Sequence, residues 1–389
     1  MIAAAPDTHG LVGYGSRGVS LVRGQGAEVV DTHGRRYLDC TSMYGVLPLG
    51  HAHPAMLETL RAQSAELSNC FASFGNPQRE ALIEELGAAL APQLATDGSA
   101  LRFFFCNSGA EAIEAALKLA RATTGRPRIL AASRGFHGRT LGATSLNHRA
   151  AYRQPFAPLV PGVEHVRFGD LAALEAALDE EVAAVVLEPV QGEGGVHPAP
   201  SGYLRAVSAL CRQAGALLIL DEVQTGFGRC GSLLAGPADG AEADLICLAK
   251  GIANGFPMGA LVAGPRAGSF PPGSHGSTFG GNPLACALAR TCLRVLDEQD
   301  IPQRVAAAAP SWHAELAAAS STRIRSVRGR GYLIGIELRE EAGPVQSALQ
   351  ERGILALTAG RQVLRLLPPL ILSAAQRDRV TETLREVLR

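Results

Sequence analysis

The sequence predicts an α/β protein. A mostly parallel central sheet with helices on both faces is joined by a smaller α+β domain. Three observations carry this. From about residue 100, short apolar runs alternate with helical stretches. Some runs, such as residues 182–187, are apolar throughout, as strands covered on both faces are. Residues with special chemistry fall at the ends of these runs, where open α/β sheets place their ligands.

Residues 27–31 and 36–39 read as strands, because Thr32-His33-Gly34-Arg35 between them has hairpin chemistry. Residues 101–106 form a short apolar strand, followed by a helix from about Ala110. Residues 128–132 and 182–187 are further strands, and 201–214 is a helix leading into strand 216–220. Residues 244–249 and 258–263 complete the set. After Asn282-Pro283 the chain turns helical and rich in Ala, Leu and Arg, and 327–338 and 354–366 supply short strands. The expected division is an N-terminal segment 1–50 that joins the small domain, a large domain 51–284, and a small α+β domain 285–389.

A chain of 389 residues suffices for two domains around a large core. Its 36 basic and 36 acidic residues balance, which gives no sign of binding to nucleic acid or to an anionic membrane. No apolar stretch is long enough to span a bilayer. Residues 1–12 lack a basic segment followed by an apolar one, so no signal peptide is expected. The eight cysteines show no CxxC pair, and free thiols in a reducing cytoplasm are expected. His51 and His53 have no neighbouring cysteine or carboxylate, so no metal is expected there.

Only two of the basic residues are lysines, Lys118 and Lys250. Arginine supplies charge but cannot lose its proton near neutral pH, so a retained lysine is a candidate for amine chemistry. Lys118 has a bland explanation: it lies four residues after Glu114, the favourable order for an ion pair on one helix face. Lys250 has no such partner and ends the apolar run 244–249. Asp221 stands one strand earlier, at the end of 216–220, and parallel neighbours would bring both to one sheet edge. A carboxylate there is costly without a cation or donors, so either Asp221 or Glu222 is expected to face inward. Asn107-Ser108-Gly109-Ala110 joins a strand to a helix N-terminus, a place that favours an anion such as phosphate. Ser108 is equally an ordinary helix cap, and the two roles can coexist.

A phosphate cradle, a buried aspartate and a lone strand-end lysine together suggest pyridoxal phosphate. Its aldehyde forms a Schiff base with lysine, and its pyridinium nitrogen needs a carboxylate partner. No GxxxxGK[ST] surrounds either lysine, which excludes a P-loop, and Gly13-Tyr14-Gly15 follows no strand, which argues against a dinucleotide fold.

The motifs Leu49-Gly50-His51-Ala52-His53-Pro54, Asn107-Ser108-Gly109-Ala110-Glu111-Ala112, Gly135-Phe136-His137-Gly138-Arg139, Glu188-Pro189-Val190-Gln191-Gly192-Glu193, Leu220-Asp221-Glu222-Val223-Gln224, Ala249-Lys250-Gly251 and Gly276-Ser277-Thr278-Phe279-Gly280-Gly281-Asn282-Pro283 occur in this order. In them the chain resembles the class III (ω-amino) pyridoxal-phosphate aminotransferases of fold type I. Within that class it is similar to acetylornithine aminotransferases, and to those acting on lysine or ornithine carried by an acidic amino-group carrier protein.

The resemblance implies roles. Lys250 would hold the cofactor and shuttle a proton. Asp221 would pair with the pyridinium and Gln224 with the ring hydroxyl, while Phe136 and Val223 would sandwich the ring. Ser108, Gly109 and Ala110 would bind the phosphate, joined by Thr278 from the second subunit of a homodimer with shared sites. Arg139 would clamp a substrate carboxylate. Arg365 would take the α-carboxylate of glutamate or 2-oxoglutarate, with Glu193 swinging in to neutralise it when a terminal amine binds. A permanent Glu193–Arg365 ion pair is the alternative. Tyr44 would lie near the distal end of the substrate, in a Thr41-Ser42-Met43-Tyr44-Gly45 segment that resembles ornithine aminotransferases instead. Ala110 stands where many relatives have threonine. The resulting expectation is transfer of the terminal amine of an acylated diamino acid, of the N-acetylornithine type, to 2-oxoglutarate. The alternatives are a carrier-bound lysine or ornithine, or free ornithine, as donor.

Overall fold

The computed structural model describes residue 11 and residues 16–94, 96–320 and 322–389. The Gly13-Tyr14-Gly15 stretch, and residues 1–12 other than Leu11, lie outside the described residues.

A seven-stranded sheet forms the centre. Its strands in chain order are β1 (Arg102–Cys106), β2 (Arg128–Ala132), β3 (Val163–Val166), β4 (Val182–Leu187), β5 (Leu217–Asp221), β6 (Leu245–Leu248) and β7 (Gly259–Ala263). The spatial order is β1-β7-β6-β5-β4-β2-β3. Six strands run one way; β7 alone is antiparallel, to β6 and to β1. β4, β5, β6 and β7 are buried along their whole length, which explains their unbroken aliphatic character.

Helix α1 (Gly109–Thr124) shows why the flanking helices pack closely. Its face toward the sheet carries Ala112, Ile113, Ala115, Ala116 and Ala120, all fully buried. Small side chains let the helix approach the strands. Ser108 caps its start by accepting the Glu111 N–H at 3.2 Å. Gly125 ends it in the left-handed conformation, φ 68°.

Three smaller sheets complete the architecture. Val190–Gln191 and His197–Pro198 pair as a two-stranded hairpin whose connection carries Glu193. Strands Leu21–Gln25, Glu28–Asp31 and Arg36–Asp39 pair in sequence, and the third also pairs with Ile354–Leu355. The N-terminal strands thus share a sheet with the C-terminal part of the chain. Strands Ile324–Arg330 and Leu333–Leu338 form a hairpin that continues into Val363–Leu366 and Leu357–Thr358. The strand region expected at 327–338 is therefore two strands; the break comes at Gly331, whose φ is +56°. β3 and Leu21–Gln25 are strands that hydropathy does not reveal, because they are short and carry too little apolar character to stand out.

Two expectations need correction. Lys118 does not pair with Glu114. The Glu114 carboxylate instead accepts the N–H groups of Gly142 and Ala143, at 2.8 and 3.2 Å. Those free amides at the start of helix Leu141–Leu146 outcompete an exposed ammonium. Nor do Asp221 and Glu222 divide into one inward and one outward residue; both are buried. Successive side chains point to opposite faces, and each face supplies donors. Glu222 takes the Thr225 hydroxyl and the Gly236 N–H.

All eight cysteines are free, and seven of them are buried. Burial pushes the thiols of Cys106, Cys211, Cys230, Cys286 and Cys292 up to about 12. Cys70 alone is part-exposed, within a stretch where Leu67, Phe71 and Phe74 also face solvent. No helix among the described residues is long and apolar enough to cross a membrane.

Candidate active site

Because β1, β5 and β6 run the same way, the residues that follow them meet at one sheet edge. A cavity of about 310 Å³ opens there. Its wall includes Ser108, Gly109 and Ala110 after β1, Asp221, Val223 and Gln224 at the end of β5, and Lys250 after β6. Phe136 and Glu193 enter from the connections after β2 and β4. Segments far apart in sequence thus supply most of the residues expected to act together.

The α1 end of the cavity is a cradle. The N–H groups of Gly109 and Ala110 find no acceptor among the described residues, as the first donors of a helix must without a ligand or water. Glycine is needed for the fit. A Cβ at Gly109 would lie 2.8 Å from Cγ1 of Val223, and one at Gly138 would lie 2.8 Å from Cβ of Ala110.

Asp221 is the last residue of β5 and is held from two sides. Its Oδ1 accepts the Val223 N–H at 3.0 Å, and its Oδ2 lies 2.7 Å from Nδ1 of His137. A carboxylate offers only lone pairs, so Nδ1 donates. Nε2 of His137 is then left buried and without a partner. Burial pulls the imidazole pKa down, but the bond and charge of Asp221 outweigh it, and the net shift is upward. Glu188 lies in the same buried network, its carboxyl pushed up to about 7 by burial. It accepts the N–H groups of Phe136 and Gly192, at 3.0 and 3.3 Å, and so ties together the two loops that carry Phe136 and Glu193.

Lys250 sits in the left-handed region, φ 43°, which costs a side-chain-bearing residue energy and occurs where the surroundings impose it. Burial lowers its amine pKa, opposed by the charges of Glu193 and Asp221. That environment favours the neutral amine, the form able to act as nucleophile or proton acceptor.

Behind two lining residues, Glu193 and Gln224, stands Arg365, fully buried on strand Val363–Leu366. Its Nη1 donates to Oε1 of Glu193 at 2.6 Å and to Oε1 of Gln224 at 3.3 Å. Its Nε and Nη2 are buried with no partner. A guanidinium with two unanswered donors is poised for a further anion. Tyr44 lies under it, ring centroid 5.8 Å from the guanidinium carbon. Ser42, Met43 and Tyr44 all have positive φ, 35°, 51° and 69°, so this segment is strained.

Four predicted residues are not among those lining the cavity: Arg365, Tyr44, Arg139 and Thr278. Arg139 is exposed, lies 4.2 Å over the Tyr152 ring and 5.2 Å over Phe136, and makes no ion pair among the described residues. Thr278 is exposed and does not line this chain's cavity. His51 bonds Asp39 through Nε2 at 2.9 Å.

Residues 12–388 match the family model for aminotransferase class III. The chain belongs to the class-III aminotransferases.

Among curated relatives, the acetylornithine aminotransferase of Mycobacterium tuberculosis strain H37Rv is 44% identical over 377 residues, 96% of this chain and 93% of that one. That of Methanosarcina mazei is 41% identical over 378 residues, 96% and 92%. Among solved structures, the N-acetylornithine aminotransferase of Stenotrophomonas maltophilia matches with TM-score 0.81 and 36% identity over 95% of both chains. The ornithine aminotransferase of Toxoplasma gondii, described with partial occupancy of PLP at its active site, matches with TM-score 0.89 and 33% identity over 95% of this chain and 90% of that one.

For a class-III aminotransferase, two buried groups at the site carried no assignment from sequence, His137 and Glu188. A signal existed. His137 lies directly after Phe136, and Glu188 directly follows β4, so both belong to the sheet edge that Asp221 marks.

Proposed function

We propose that this transaminase uses pyridoxal phosphate to move the terminal amino group of an acylated diamino acid, of the N-acetylornithine type, to 2-oxoglutarate, giving a semialdehyde and glutamate. The observation that carries the two-substrate reading is the 2.6 Å Glu193–Arg365 pair beside Lys250, with two nitrogens of Arg365 still unpartnered. The near-full-length likeness to acetylornithine aminotransferases supports the donor class.

The residues fit the cofactor. The free amides of Gly109 and Ala110, with Ser108, would hold the phosphate. Phe136 and Val223 would cover the two ring faces, and Gln224 would meet the ring hydroxyl. Asp221, kept in place by His137 and the Val223 amide, would keep the ring nitrogen protonated. When bound, pyridoxal phosphate supplies an aldehyde for the amine and a ring that withdraws electrons. Lys250 would hold the cofactor and move a proton through Nζ, a task suited to its lowered basicity. Phe136 and Val223 would limit water at that atom.

Donor and acceptor differ at the Arg365 end. With a terminal amine bound, Glu193 cancels the arginine, so an uncharged chain can lie there. With glutamate or 2-oxoglutarate bound, Glu193 withdraws and Arg365 takes a carboxylate through its paired donors. Arg139, stacked on Tyr152 and free of ion pairs among the described residues, would bind the carboxylate at the far end of the substrate. Thr278 would reach the phosphate of a second subunit, and the working form would be a homodimer in the cytoplasm. The expected layout is segment 1–50 and domain 285–389 beside a large domain 51–284.

A carrier-bound lysine or ornithine is the second reading. Residues 133–163 contain Arg134, Arg139, Arg149 and Arg153 and no acidic residue, a surface suited to an acidic partner.

A single-turnover titration tests the donor. N-acetylornithine, ornithine, lysine and glutamate are offered separately to the yellow enzyme, with 2-oxoglutarate withheld. Loss of the visible cofactor band with N-acetylornithine and glutamate, and only weakly with ornithine, is expected. Loss with glutamate alone overturns the small-molecule donor and favours the carrier-bound one.

A further inference from the structure

Lys118, one of two lysines in the chain, takes no part in the cavity. It lies on the exposed side of α1, nine residues after Gly109 and so about 14 Å along the helix. Its ammonium donates to the carbonyl oxygen of Ser274 and to Nδ1 of His275, both at 2.9 Å. An ammonium has no lone pair, so Nδ1 accepts and the ring proton sits on Nε2. The imidazole is packed by Phe104 and Phe270, with ring centroids 4.7 and 4.5 Å away.

The same segment is fastened twice more. Nδ2 of Asn107 donates to Oγ of Ser277 at 3.2 Å, and that hydroxyl accepts the Gly280 N–H at 3.0 Å. Gly280 presses on the end of β1, where a Cβ would lie 2.1 Å from the Phe105 carbonyl oxygen. Between these anchors Thr278 and Phe279 stand exposed. The tip is therefore a short arch with both roots tied to β1 and α1.

We infer that Lys118 is a positioning residue that fixes one root of the Thr278 arch. One helix then serves two phosphate sites. Its N-terminus cradles the phosphate of its own subunit, and its Lys118 aims the contact offered to the other. This rests on the proposed reading that Thr278 acts in a partner's site. The chemistry explains a lysine in a chain that otherwise uses arginine. A compact tetrahedral head reaches two acceptors at once, one carbonyl and one imidazole nitrogen, where a planar guanidinium is longer and differently aimed.

Mixed dimers test it, because the effect must cross between subunits. One subunit is wild type. The other carries Lys250→Ala, alone or with Lys118→Met, Lys118→Arg or Thr278→Ala. The measurement is the rate at which the cofactor linked to the wild-type Lys250 loses its visible absorbance on dilution with a carbonyl trap. Release about tenfold faster is expected with Lys118→Met and with Thr278→Ala, and a smaller increase with Lys118→Arg. Faster release with Thr278→Ala but none with Lys118→Met overturns the role of Lys118 alone. No change with Thr278→Ala overturns the shared-site reading, and the inference with it. A purely structural lesion in α1 would instead loosen the cofactor of the mutated subunit and leave its wild-type partner unmoved.

Discussion

The floor of the cavity and the layer behind its Glu193 side are built on opposite plans. On the floor, Asp221 has a donor on each oxygen, and Lys250 is locked by a backbone geometry that its neighbours enforce. On the Glu193 side, Arg365 has one charged partner, Glu193, which is itself 26% exposed, and two donors with none. Asp221 has both oxygens answered and little to gain by changing partners, whereas Arg365 has donors still to satisfy. On the proposed reading, the chemistry belongs to the fixed sheet edge and substrate choice to the side with something left to bind.

The floor gives the largest predicted effect. Lys250→Ala should lower turnover on the order of 10⁴-fold or more, since on the proposed reading it removes both the anchoring amine and the proton carrier. Residual turnover near wild type would sink that assignment. Asp221→Asn should follow, with kcat down roughly 10³-fold while both substrates still bind, because a charge aimed at the reacting ring is lost. Equal losses in kcat and in substrate affinity would mean that Asp221 is mainly architectural.

The Glu193 side should respond selectively. Glu193→Ala leaves Arg365 buried without its counter-charge, and the terminal-amine half-reaction should fall about tenfold further than the glutamate half-reaction. Stopped-flow traces of each half-reaction measure this; equal losses would make the pair a permanent ion pair and break the contrast with the floor.

The smallest effect concerns the hairpin that carries Glu193. His197 lies on that hairpin, its pKa lowered from 6.5 to about 4 by burial and by the charges of Arg328 and Arg134. A group whose folded pKa is depressed in this way contributes stability above its unfolded pKa and loses it as pH falls through the folded one. Stability should therefore drop between pH 6.5 and 4, by about 1–2 kcal/mol after allowance for partial exposure of the ring. Melting curves of His197→Asn should be flatter across that window; an unchanged slope would assign the acid sensitivity elsewhere.

The same division separates what the sequence could reveal from what it could not. The floor was legible because strands announce themselves as apolar runs and their ends are countable, so Asp221 and Lys250 could be set side by side. The central sheet was legible for the same reason. Arg365 stood out as a charge in the apolar run Leu364 to Leu367, but its pairing with Glu193, 172 residues away, was legible only through the family resemblance, since spacing cannot show it. His137 and Glu188 were hidden because a histidine in a glycine-rich loop and a glutamate before a proline look ordinary until burial is known. The partner of Lys118 was hidden because a local i, i+4 rule cannot see Ser274 and His275 arriving from 156 and 157 residues away.

The distribution of thiols has a practical consequence. Thiolate is the reactive species, so cysteines raised to about 12 and sealed in the core are inert to alkylation. Cys70 is left as the one addressable sulfur of the eight, beside the exposed rings of Phe71 and Phe74. A brief dose of iodoacetamide should write one mark per chain, and write it on the apolar rim. Followed against protein concentration, the speed of that marking is a built-in gauge of whether the rim is bare or covered.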